Sequence, residues 1–436
     1  MRVCASLGDA SDLESVGRDD MVEIRLDLLG SVPDTAGRET LVTYRGPIDL
    51  SILPPGFSGL IDIGEEDRPE TKVRVVASHH DYESTPDAER LRSILGSMDA
   101  DVCKAATQVR DFRDLMSIHD AAKSFPRKHV VLGMGSMGTV TRIRQKILGN
   151  EFSFGYIGEP TAPGQLSVEE MRRLGDDCTI LGIIGNPLGK SKSPRMQNAA
   201  LREEGINGIY LPFETPDLEQ AEDAIRAYDI RGVNVTVPYK QDIMDHLDRV
   251  DKDASSIGAV NTIVNEKGTL TGYNTDVIGI RKALERCGFE PEDRRVLVMG
   301  SGGAARACVH VMDGYGCDVT ITGRNHETGE ELAKETGSVF RDPRSVSVMM
   351  YDLIVNCTPV GMYSQGPYPI NISSITRGQT VFDMVYAKDT ALAAEAAAKG
   401  CRFADGADML AAQGAASFEL WTGRDSMFDI MRRELE

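Results

Sequence analysis

Short apolar runs alternate with longer polar segments along the first 175 residues of the chain. The runs that are typical of strands are residues 2–6, 22–27, 40–44, 59–63, 73–78, 102–106, 129–133 and 152–158. Between some of them, residues 87–96 and 111–124 carry apolar side chains at helical spacing. Strands that alternate with helices predict a parallel sheet, and eight such strands predict a (β/α)8 barrel. The connections before Thr40 and Gly59 are too short for full helices, so we expect a compact barrel.

A second block begins with an apolar strand at residues 179–184, which leads into the segment GNPLGKSKSP. The preceding link, residues 168–178, contains the helix-like sequence VEEMRRL and is not rich in Gly and Ser. We therefore expect the two blocks to lie close together.

The chain beyond residue 293 has the pattern of a nucleotide-binding domain. The segment RRVLVMGSGGAARACVHVM predicts a strand, a glycine-rich turn and a helix. Further strands at residues 318–322, 352–356 and 380–383 alternate with helices at 327–335 and 390–399. The predicted fold class is therefore α/β throughout. It comprises a barrel at 1–175, an α/β domain at 179–290 completed by 404–436, and a doubly wound, Rossmann-like domain at 291–403.

Charge and cysteine spacing narrow the classes of function. The 436 residues include 67 acidic and 48 basic side chains, which give a formal net charge of −19. Phosphate backbones and anionic lipids repel such a chain, so we expect neither a nucleic-acid partner nor a membrane. The eight cysteines are scattered singly without C-x-x-C pairs, which favours reduced thiols and no metal site. The sequence has no signal peptide or stretch of about 20 apolar residues, so we expect a cytoplasmic protein.

The glycine-rich turn indicates the cofactor. Gly300, Ser301, Gly302, Gly303 and Ala304 lie between an apolar strand and a helix, where backbone N–H groups can approach a pyrophosphate. A plain tight turn is the alternative. The next strand ends at Arg324 and Asn325, where an NAD enzyme would usually carry Asp or Glu. An arginine at this position can bind a 2′-phosphate, so NADP is the predicted cofactor.

Four polar loops precede this domain. They contain Ser191 and Ser193, the segment from Asn234 through Thr236 to Lys240, the pair Asn261-Thr262, and the segment Asn274-Thr275-Asp276. Each loop alone would usually be explained by turns and caps. A lysine and an aspartate brought together could share a proton while a hydride moves to or from the adjacent carbon.

From about residue 179 to the end, the chain resembles shikimate dehydrogenase. The motifs are GNPLGKSKSP, NVTVPYK, GAVNTI, GYNTDVIG, GSGGAARA, NCTPVGM, FDMVYA and DGADMLAAQGAASFELWTG, in the family's order. The resemblance implies that Lys240, paired with Asp276, is the catalytic proton donor and acceptor. It implies that the substrate carboxylate contacts Ser191, Ser193 and Tyr386, and that the ring hydroxyls contact Thr236, Asn261, Asp276 and Gln413. It also implies NADP binding by Gly300–Ala304 with Arg324, Asn325, Met384 and Gly406.

The N-terminal block has its own chemical pattern. Lys104 lies on an apolar strand, where burial lowers the pKa of an amine and frees it as a nucleophile. A lysine that extends to the surface is the alternative. His80, late on another strand, can move a proton, and three arginines can bind a carboxylate and hydroxyls: Arg25, Arg45 and Arg142.

This block resembles type I 3-dehydroquinate dehydratase. The motifs are E-I-R-L-D from Glu23, Arg45 after TY, S-H-H-D-Y from Ser78, Lys104, Arg142, and T-A-P-G-Q from Thr161. The resemblance implies that Lys104 forms an imine with the substrate ketone and that His80, rather than His79, abstracts the proton. It implies substrate contacts from Ser6, Glu23, Arg25, Arg45, Arg142, Thr161 and Gln165.

One departure from the second family concerns a buried carboxylate. The family's D-x-E pattern, whose Glu positions the histidine, here has Gly64 in the place of that Glu. Either Glu65 reaches inward through a bulge, or the histidine is tuned differently.

The sequence therefore predicts a bifunctional enzyme of the shikimate pathway that acts on two small-molecule substrates. It would dehydrate 3-dehydroquinate and then reduce 3-dehydroshikimate to shikimate with NADPH. One alternative keeps the dehydrogenase and makes the barrel a docking or stabilising module. A second alternative is an NADP-binding sensor without chemistry. A homo-oligomer is compatible with the sequence.

Overall fold

The structure of the chain is a computed structural model. It describes all residues from Met1 to Glu436 except Asp19, Thr161, Pro163, Tyr363, Gln365, Lys388 and Ser426. Its internal contacts divide the chain into two units, residues 1–184 with 206–230 and residues 185–205 with 231–436. None of the helices in the described part of the chain is both long and apolar enough to span a membrane.

Eight parallel strands form the sheet of the first unit. They are β1 (Val3–Leu7), β2 (Met21–Arg25), β3 (Thr40–Thr43), β4 (Leu60–Asp62), β5 (Arg74–Asp81), β6 (Val102–Gln108), β7 (His129–Met134) and β8 (Ser153–Ile157). Their order is β7-β6-β5-β4-β3-β2-β1-β8, which is a nearly closed barrel. All eight predicted strands are confirmed. The largest difference is at β5, which continues three residues past its predicted end and so includes both histidines of the SHHD segment.

The connections on one side of the barrel are short. The chain forms a 3-10 helix at Ala10–Ser15, a single helical turn α1 (Leu26–Leu29) and a 3-10 turn at Leu50–Ile52. Longer helices follow later strands: α2 (Ala88–Ser97), α3 (Phe112–Ser124), α4 (Gly135–Ile143), which the single turn α5 (Gln145–Leu148) follows, and α6 (Val168–Leu174). The expectation of short connections before Thr40 and Gly59 is confirmed. Apolar loop side chains such as Leu50, Leu53 and Phe57 cover the outer face of these strands instead.

A side chain completes the junction between β7 and β8. The amide of Asn150 donates to the carbonyl of Val131 at 2.9 Å and accepts from its N–H at 2.8 Å. One main-chain bond joins the same edges, from Glu151 N–H to the carbonyl of His129 at 2.9 Å. Asn150 therefore occupies the position of a paired strand residue.

Beyond the barrel the chain forms β9 (Thr179–Gly185), α7 (Ser193–Glu203), β10 (Gly208–Glu214) and α8 (Ala221–Ala227). Residues 206–230 belong to the first unit. The hydroxyl of Tyr228 donates to the carbonyl of Leu115 at 2.8 Å, and the buried Arg144 donates to the carbonyls of Tyr228 and Asp229 at 2.9 Å. These bonds anchor the segment that contains α8 to α3 and the end of α4.

The second unit contains a small mixed sheet. Its strands are β11 (Gly232–Val235), β12 (Arg249–Val250), β13 (Thr262–Glu266) and β14 (Thr269–Tyr273), in the order β11-β13-β14-β12. Strand β13 is antiparallel to β11 and to β14, and β12 is parallel to β14. Helices α9 (Lys252–Ile257) and α10 (Asp276–Cys287) follow β12 and β14.

The rest of the second unit is a doubly wound sheet of six parallel strands. They are β15 (Arg295–Met299), β16 (Asp318–Thr322), β17 (Val339–Phe340), β18 (Leu353–Asn356), β19 (Thr380–Asp383) and β20 (Arg402–Asp405), with helices α11 (Gly303–Asp313), α12 (His326–Thr336) and α13 (Ala391–Lys399). The order β17-β16-β15-β18-β19-β20 is that of a Rossmann fold and confirms the predicted fold class. Val296 and Val298 of β15 pack in one core, and Leu297 and Met299 pack in another on the opposite face.

The chain ends in helices α14 (Gly406–Thr422) and α15 (Phe428–Arg433). Helix α14 packs along α10. The indole N–H of Trp421 donates to the carbonyl of Ile263 at 2.9 Å, and the amide of Gln197 donates to the carbonyl of Gly414 at 3.0 Å. The C-terminal helices therefore return to the small sheet, and the first turn of α14 follows directly from β20.

Candidate active sites

The inside of the barrel contains a cavity of about 60 Å³. The residues that line it are Ser6, Glu23, Arg25, Arg45, His80, Tyr82, Lys104, Ala106, Leu132, Met134, Arg142, Phe154, Ala162 and Gln165. Most of them lie late on the strands or just beyond, where parallel barrels place their active sites. Every residue that the sequence predicts for this site lines the cavity, except Thr161, which lies outside the described residues.

Lys104 lies on β6 with its side chain inside the barrel, where only 4% of the residue is exposed. Its Nζ lies 3.0 Å from Oδ2 of Asp62 and 4.4 Å from the centroid of the Phe154 ring. The strand register pairs Lys104 with Ser78 and Ala106 with His80, so both residues of β5 share the face that carries Lys104. The alternative of a lysine that reaches the surface is therefore wrong.

Asp62 is a residue of this site for which sequence reasoning assigned no role. It is fully buried at the end of β4, and its Oδ1 accepts from Ser78 Oγ at 2.6 Å and from the Gly64 N–H at 3.0 Å. Burial alone would raise its pKa, but the adjacent ammonium of Lys104 holds the pKa of Asp62 below its usual range. The signal in the sequence that could have identified Asp62 was its position as the only carboxylate of the apolar strand β4, at the start of D-x-G.

His80 contacts a guanidinium. The terminal nitrogens of Arg45 each lie 3.4 Å from one of the two ring nitrogens of His80. Burial, together with the positive charges of Lys104 and Arg45, lowers the pKa of His80 to about 3. The imidazole is therefore neutral near pH 7, which is the state that a general base requires.

Glu65 does not take the place of the missing family glutamate. Its carboxylate is exposed and accepts a 2.6 Å hydrogen bond from Nδ1 of His79, while Gly64 turns the chain with a φ of +63°. Of the two alternatives left by the sequence, the inward bulge is therefore wrong. His80 faces Lys104 and Arg45 instead of a second carboxylate.

Glu23 and Arg25 extend from β2 on the opposite side of the cavity. The carboxylate of Glu23 accepts from Ser6 Oγ at 2.5 Å and from Thr43 Oγ1 at 2.7 Å. Arg25 donates to both oxygens of Asp27, at 2.8 and 2.5 Å, and this hydrogen bonding lowers the pKa of Asp27. Both side chains are thus held by neighbours, and fixed groups can orient a polyhydroxylated ligand.

Arg142, on α4, is a buried cation whose Nε has no partner in the described structure. Burial lowers its pKa to about 10. The loop after β8 packs nearby: Thr139 Oγ1 donates to the carbonyl of Gly164 at 3.0 Å, and a Cβ on Gly164 would lie 2.1 Å from the carbonyl oxygen of Gly135. A buried, incompletely paired guanidinium in a cavity fits an anionic ligand.

The second unit contains a lysine–aspartate pair. Nζ of Lys240 lies 2.5 Å from Oδ2 of Asp276, and the amide of Asn261 donates to Oδ1 of Asp276 at 2.8 Å. The same amide lies 3.3 Å from Oε1 of Gln413 on α14. Asp276 is the first residue of α10, where the helix dipole favours a negative charge. These four predicted residues therefore form one connected group.

The other predicted substrate residues lie on loops of this unit. Ser193 begins α7 and is 5% exposed, and its N–H donates to Oγ of Ser191 at 3.3 Å. Thr236 directly follows β11, and its carbonyl accepts from the N–H of Tyr239 at 3.0 Å. Tyr386 lies just beyond β19 and is half-buried.

The glycine-rich turn lies against the lysine. Gly300 has a φ of +113°, which a side chain would strain, and a Cβ on Gly303 would lie 3.0 Å from Cβ and Cδ of Lys240. Across the sheet, a Cβ on Gly406 would lie 2.6 Å from the carbonyl oxygen of Asp383 and 2.7 Å from the carbonyl oxygen of Met384. The turn that is predicted to bind the cofactor therefore directly borders the proposed proton donor.

Arg324 extends from the loop after β16 and is exposed. Within the described part of the chain, its guanidinium forms no ion pair with an acidic side chain. Asn325 caps α12 by accepting from the N–H of Thr328 at 3.3 Å, and Thr328 Oγ1 lies 2.7 Å from Ser301 Oγ. These contacts place the predicted 2′-phosphate residues beside the glycine-rich turn.

Known proteins resemble most of the chain. The shikimate dehydrogenase (NADP(+)) of Geobacter metallireducens is 42% identical over 272 residues, which cover 59% of this chain and 95% of that protein. This chain belongs to the shikimate dehydrogenase family. The family models for the shikimate dehydrogenase substrate-binding domain and the shikimate 5′-dehydrogenase C-terminal domain match residues 183–263 and 406–436.

Solved structures of the shikimate dehydrogenase family agree in fold. Shikimate dehydrogenase from Aquifex aeolicus is 36% identical with a TM-score of 0.57, and covers 59% of this chain and 98% of its own. Shikimate 5-dehydrogenase from Thermus thermophilus, solved in complex with NADP(H) and shikimate, is 33% identical with a TM-score of 0.55, and covers 59% of this chain and 98% of its own.

The barrel matches a second family. The model for type I 3-dehydroquinase matches residues 61–176. The match includes His80, Lys104 and Arg142, whereas Glu23, Arg25 and Arg45 precede it. Both predicted resemblances are therefore confirmed, and the chain combines a type I 3-dehydroquinase domain with a shikimate dehydrogenase.

Proposed function

We propose that this chain catalyses two consecutive reactions of the shikimate pathway. It dehydrates 3-dehydroquinate to 3-dehydroshikimate in the barrel, and it reduces 3-dehydroshikimate to shikimate with NADPH in the second unit. The observation that supports the proposal is that Lys104 and His80 line one cavity in the barrel, and that Lys240 lies 2.5 Å from Asp276 in the second unit. We assign the dehydratase to residues 1–175, the shikimate-binding domain to 179–290 with 404–436, and the NADP domain to 291–403.

In the dehydratase reaction, Lys104 forms an imine with the ketone of 3-dehydroquinate. The protonated imine acidifies the neighbouring carbon, and the neutral imidazole of His80 removes a proton there. The same proton then leaves with the hydroxyl on the next carbon as water. We assign the substrate carboxylate to Arg142, because the Nε of its buried guanidinium has no hydrogen-bond partner among the described residues, and we assign the ring hydroxyls to Glu23, Arg25 and Arg45.

In the reductase reaction, Lys240 donates a proton to the carbonyl oxygen of 3-dehydroshikimate. Asp276 holds the ammonium of Lys240 in place at 2.5 Å and accepts a hydrogen bond from a ring hydroxyl. NADPH, when bound, supplies the hydride to the carbonyl carbon. We assign the ring hydroxyls also to Thr236, Asn261 and Gln413, and the substrate carboxylate to Ser191, Ser193 and Tyr386.

The residues around the glycine-rich turn fit NADP. Gly300 and Gly303 leave the backbone free of Cβ atoms where a pyrophosphate would approach the start of α11. Arg324, which forms no ion pair among the described residues, supplies its exposed guanidinium to the 2′-phosphate. We assign Ser301, Gly302, Ala304 and Asn325 to the same end of the cofactor, and Met384 and Gly406 to the nicotinamide end.

A second candidate keeps the reductase and makes the barrel a docking or stabilising module. Gly64, in the place of a glutamate that would orient His80, favours this candidate. The buried Lys104 and the cavity that joins it to His80 favour catalysis.

Paired assays on the full chain separate the two candidates. We expect 3-dehydroquinate alone to give the absorbance of the conjugated product, and 3-dehydroshikimate to consume NADPH. Consumption of NADPH without any dehydration would contradict the bifunctional proposal and favour the docking module.

A further inference from the structure

Two neighbours of Lys104 favour a positive charge at its Nζ. Oδ2 of Asp62 lies 3.0 Å away, and the face of Phe154 lies 4.4 Å away. A carboxylate attracts a cation by its charge, and an aromatic face does so by its quadrupole. Asp62 is fully buried and Lys104 is 4% exposed, so water screens this attraction poorly.

The carboxylate of Asp62 has a fixed orientation. Its Oδ1 already accepts two hydrogen bonds, from Ser78 Oγ at 2.6 Å and from the Gly64 N–H at 3.0 Å. Gly64 follows Asp62 by two residues, so the second of these bonds is local to the turn that ends β4. Oδ2 is therefore left to face Lys104.

The rest of the cavity carries a net positive charge. Arg25, Arg45 and Arg142 line it together with one carboxylate, Glu23, which accepts hydrogen bonds from Ser6 and Thr43, and Arg25 is paired with Asp27. Without a carboxylate beside Nζ, repulsion from these guanidinium groups would favour the neutral form of any group attached there.

The proposed dehydration requires the imine on Lys104 to be protonated. Lys104 and the substrate ketone give an iminium and water: one ammonium proton passes to the ketone oxygen as the freed amine attacks the carbonyl carbon, a C–N bond forms, and that oxygen leaves as water with a second proton from nitrogen. His80 then takes a proton from the adjacent carbon, and the electron pair moves to nitrogen as a neutral enamine. Loss of the hydroxyl on the next carbon, with the proton from His80, gives water and restores the iminium.

We propose that Asp62 is the counter-ion that keeps the imine on Lys104 protonated. This inference rests on the imine mechanism given under Proposed function. Because a neutral imine withdraws electrons weakly, loss of the carboxylate charge slows proton abstraction by His80 even where the imine itself forms. The replacement Asp62→Asn removes the charge and preserves the size of the side chain.

The test compares Asp62→Asn with Ser78→Ala in the full chain. Ser78→Ala removes a hydrogen bond from Oδ1 and leaves the carboxylate charged, so it is the matched control. We expect Asp62→Asn to lower the dehydratase kcat by about 100-fold near pH 8 and to move the basic limb of the kcat–pH profile downward by about one unit or more. Ser78→Ala should keep the basic limb in place with a loss of less than about tenfold.

A chemical trap reports the charged imine directly. Cyanoborohydride reduces iminium ions in preference to neutral imines, and mass spectrometry then finds the substrate mass on Lys104. We expect the wild-type chain to acquire this mass and Asp62→Asn to acquire about tenfold less near pH 8. Phe154→Leu, which removes the aromatic face and retains the carboxylate, should shift the profile in the same direction by a smaller amount. Phe154→Leu serves as the second variant if thermal unfolding shows that Asp62→Asn is not folded.

The outcomes are distinct. An Asp62→Asn chain that retains kcat within about threefold would overturn the inference, as would equal losses in Asp62→Asn and Ser78→Ala with unmoved pH limbs. If Asp62→Asn does not fold, an unmoved profile in Phe154→Leu overturns it. A wild-type chain that dehydrates 3-dehydroquinate but acquires no mass on Lys104 would instead refute the imine mechanism itself.

Discussion

The guanidinium of Arg45 and the imidazole of His80 lie side by side, with each terminal nitrogen of Arg45 3.4 Å from one ring nitrogen of His80. A positive charge on the imidazole would be repelled by Arg45 beside it and by Lys104 in the same cavity. Burial is the largest cause of the low pKa of His80, and these two cations add to it. The arrangement keeps the proposed base neutral without a carboxylate to orient it.

The low pKa of His80 predicts an unusual pH profile for dehydration. We expect kcat/KM to show no loss from His80 protonation between about pH 5 and pH 7, because its pKa is about 3. Arg45→Met should raise that pKa, so that the acid limb of the profile moves upward from about pH 3 while burial and Lys104 still hold it below the ordinary value. The measurement is kcat/KM of both chains from about pH 3 to pH 7. Parallel acid limbs in the two chains would contradict the role of Arg45.

The lowered pKa of His80 also predicts how the stability of the fold depends on pH. The unfolded chain protonates His80 near its ordinary pKa of 6.5, whereas the folded chain does so at about 3. Folding is therefore opposed by this group as the pH falls through 6.5 toward 3. We expect His80→Gln to lessen the loss of stability between about pH 6 and pH 4, as measured by thermal unfolding of the full chain. An exposed residue of the same kind, His326, provides the control as His326→Gln.

Arg142 combines a binding role with a cost in stability. We expect Arg142→Met to raise the KM for 3-dehydroquinate by about 10–100-fold, the range of a lost carboxylate–arginine pair. The same change should stabilise the ligand-free protein by about 1–3 kcal/mol, because it removes a buried cation whose Nε has no partner among the described residues. Steady-state kinetics and thermal unfolding check the two effects. A destabilised variant with an unchanged KM would show that Arg142 is structural.

Arg324 is predicted to select NADPH over NADH. Arg324→Ala should reduce kcat/KM for NADPH by about 10–100-fold and leave NADH use nearly unchanged. Arg377→Ala is the control, because Arg377 is exposed just before β19, at the end of the sheet where the parallel strands begin, whereas the glycine-rich turn lies where they end. Equal losses with both cofactors would assign Arg324 a structural role.

The two activities should be separable by mutation. Lys240→Ala or Asp276→Asn should lower the reduction of 3-dehydroshikimate by about 100-fold or more, the scale of a lost general acid. Dehydration should persist in both variants, and Lys104→Ala should show the reverse pattern. If Lys240→Ala, with its fold verified by circular dichroism, also loses dehydration of 3-dehydroquinate, the model of independent sites fails.

The sequence predicted the strands well because each is a short apolar run bounded by polar turns. The eight barrel strands are found within three residues of their predicted ends, and the glycine-rich turn lies between β15 and α11 as predicted. Lys104 and His80 were identified correctly as cavity residues because motif and strand position agreed.

The parts that sequence could not supply depend on contacts between distant residues. Asp62 was visible only as the first residue of an incomplete D-x-E pattern, because its partner Lys104 is 42 residues away. The exposed pairing of Glu65 with His79 depends on the left-handed turn at Gly64. The contacts between Arg113 and the acidic residues Asp217 and Glu219 likewise link segments more than 100 residues apart.

The Asn150 side chain between β7 and β8 has a consequence for how the barrel opens. Each neighbouring pair of strands elsewhere in the barrel is joined by a ladder of main-chain bonds, whereas among the described residues this junction depends on one amide group and one main-chain bond. Local opening therefore requires the fewest broken bonds at this junction. In hydrogen–deuterium exchange, the N–H of Val131, which donates to Asn150, should exchange sooner than that of Cys103, and Asn150→Leu should widen the gap. The junction between β7 and β8 is therefore where we expect the barrel to open most easily. Strand β7 leads directly into α4, the helix that carries Arg142.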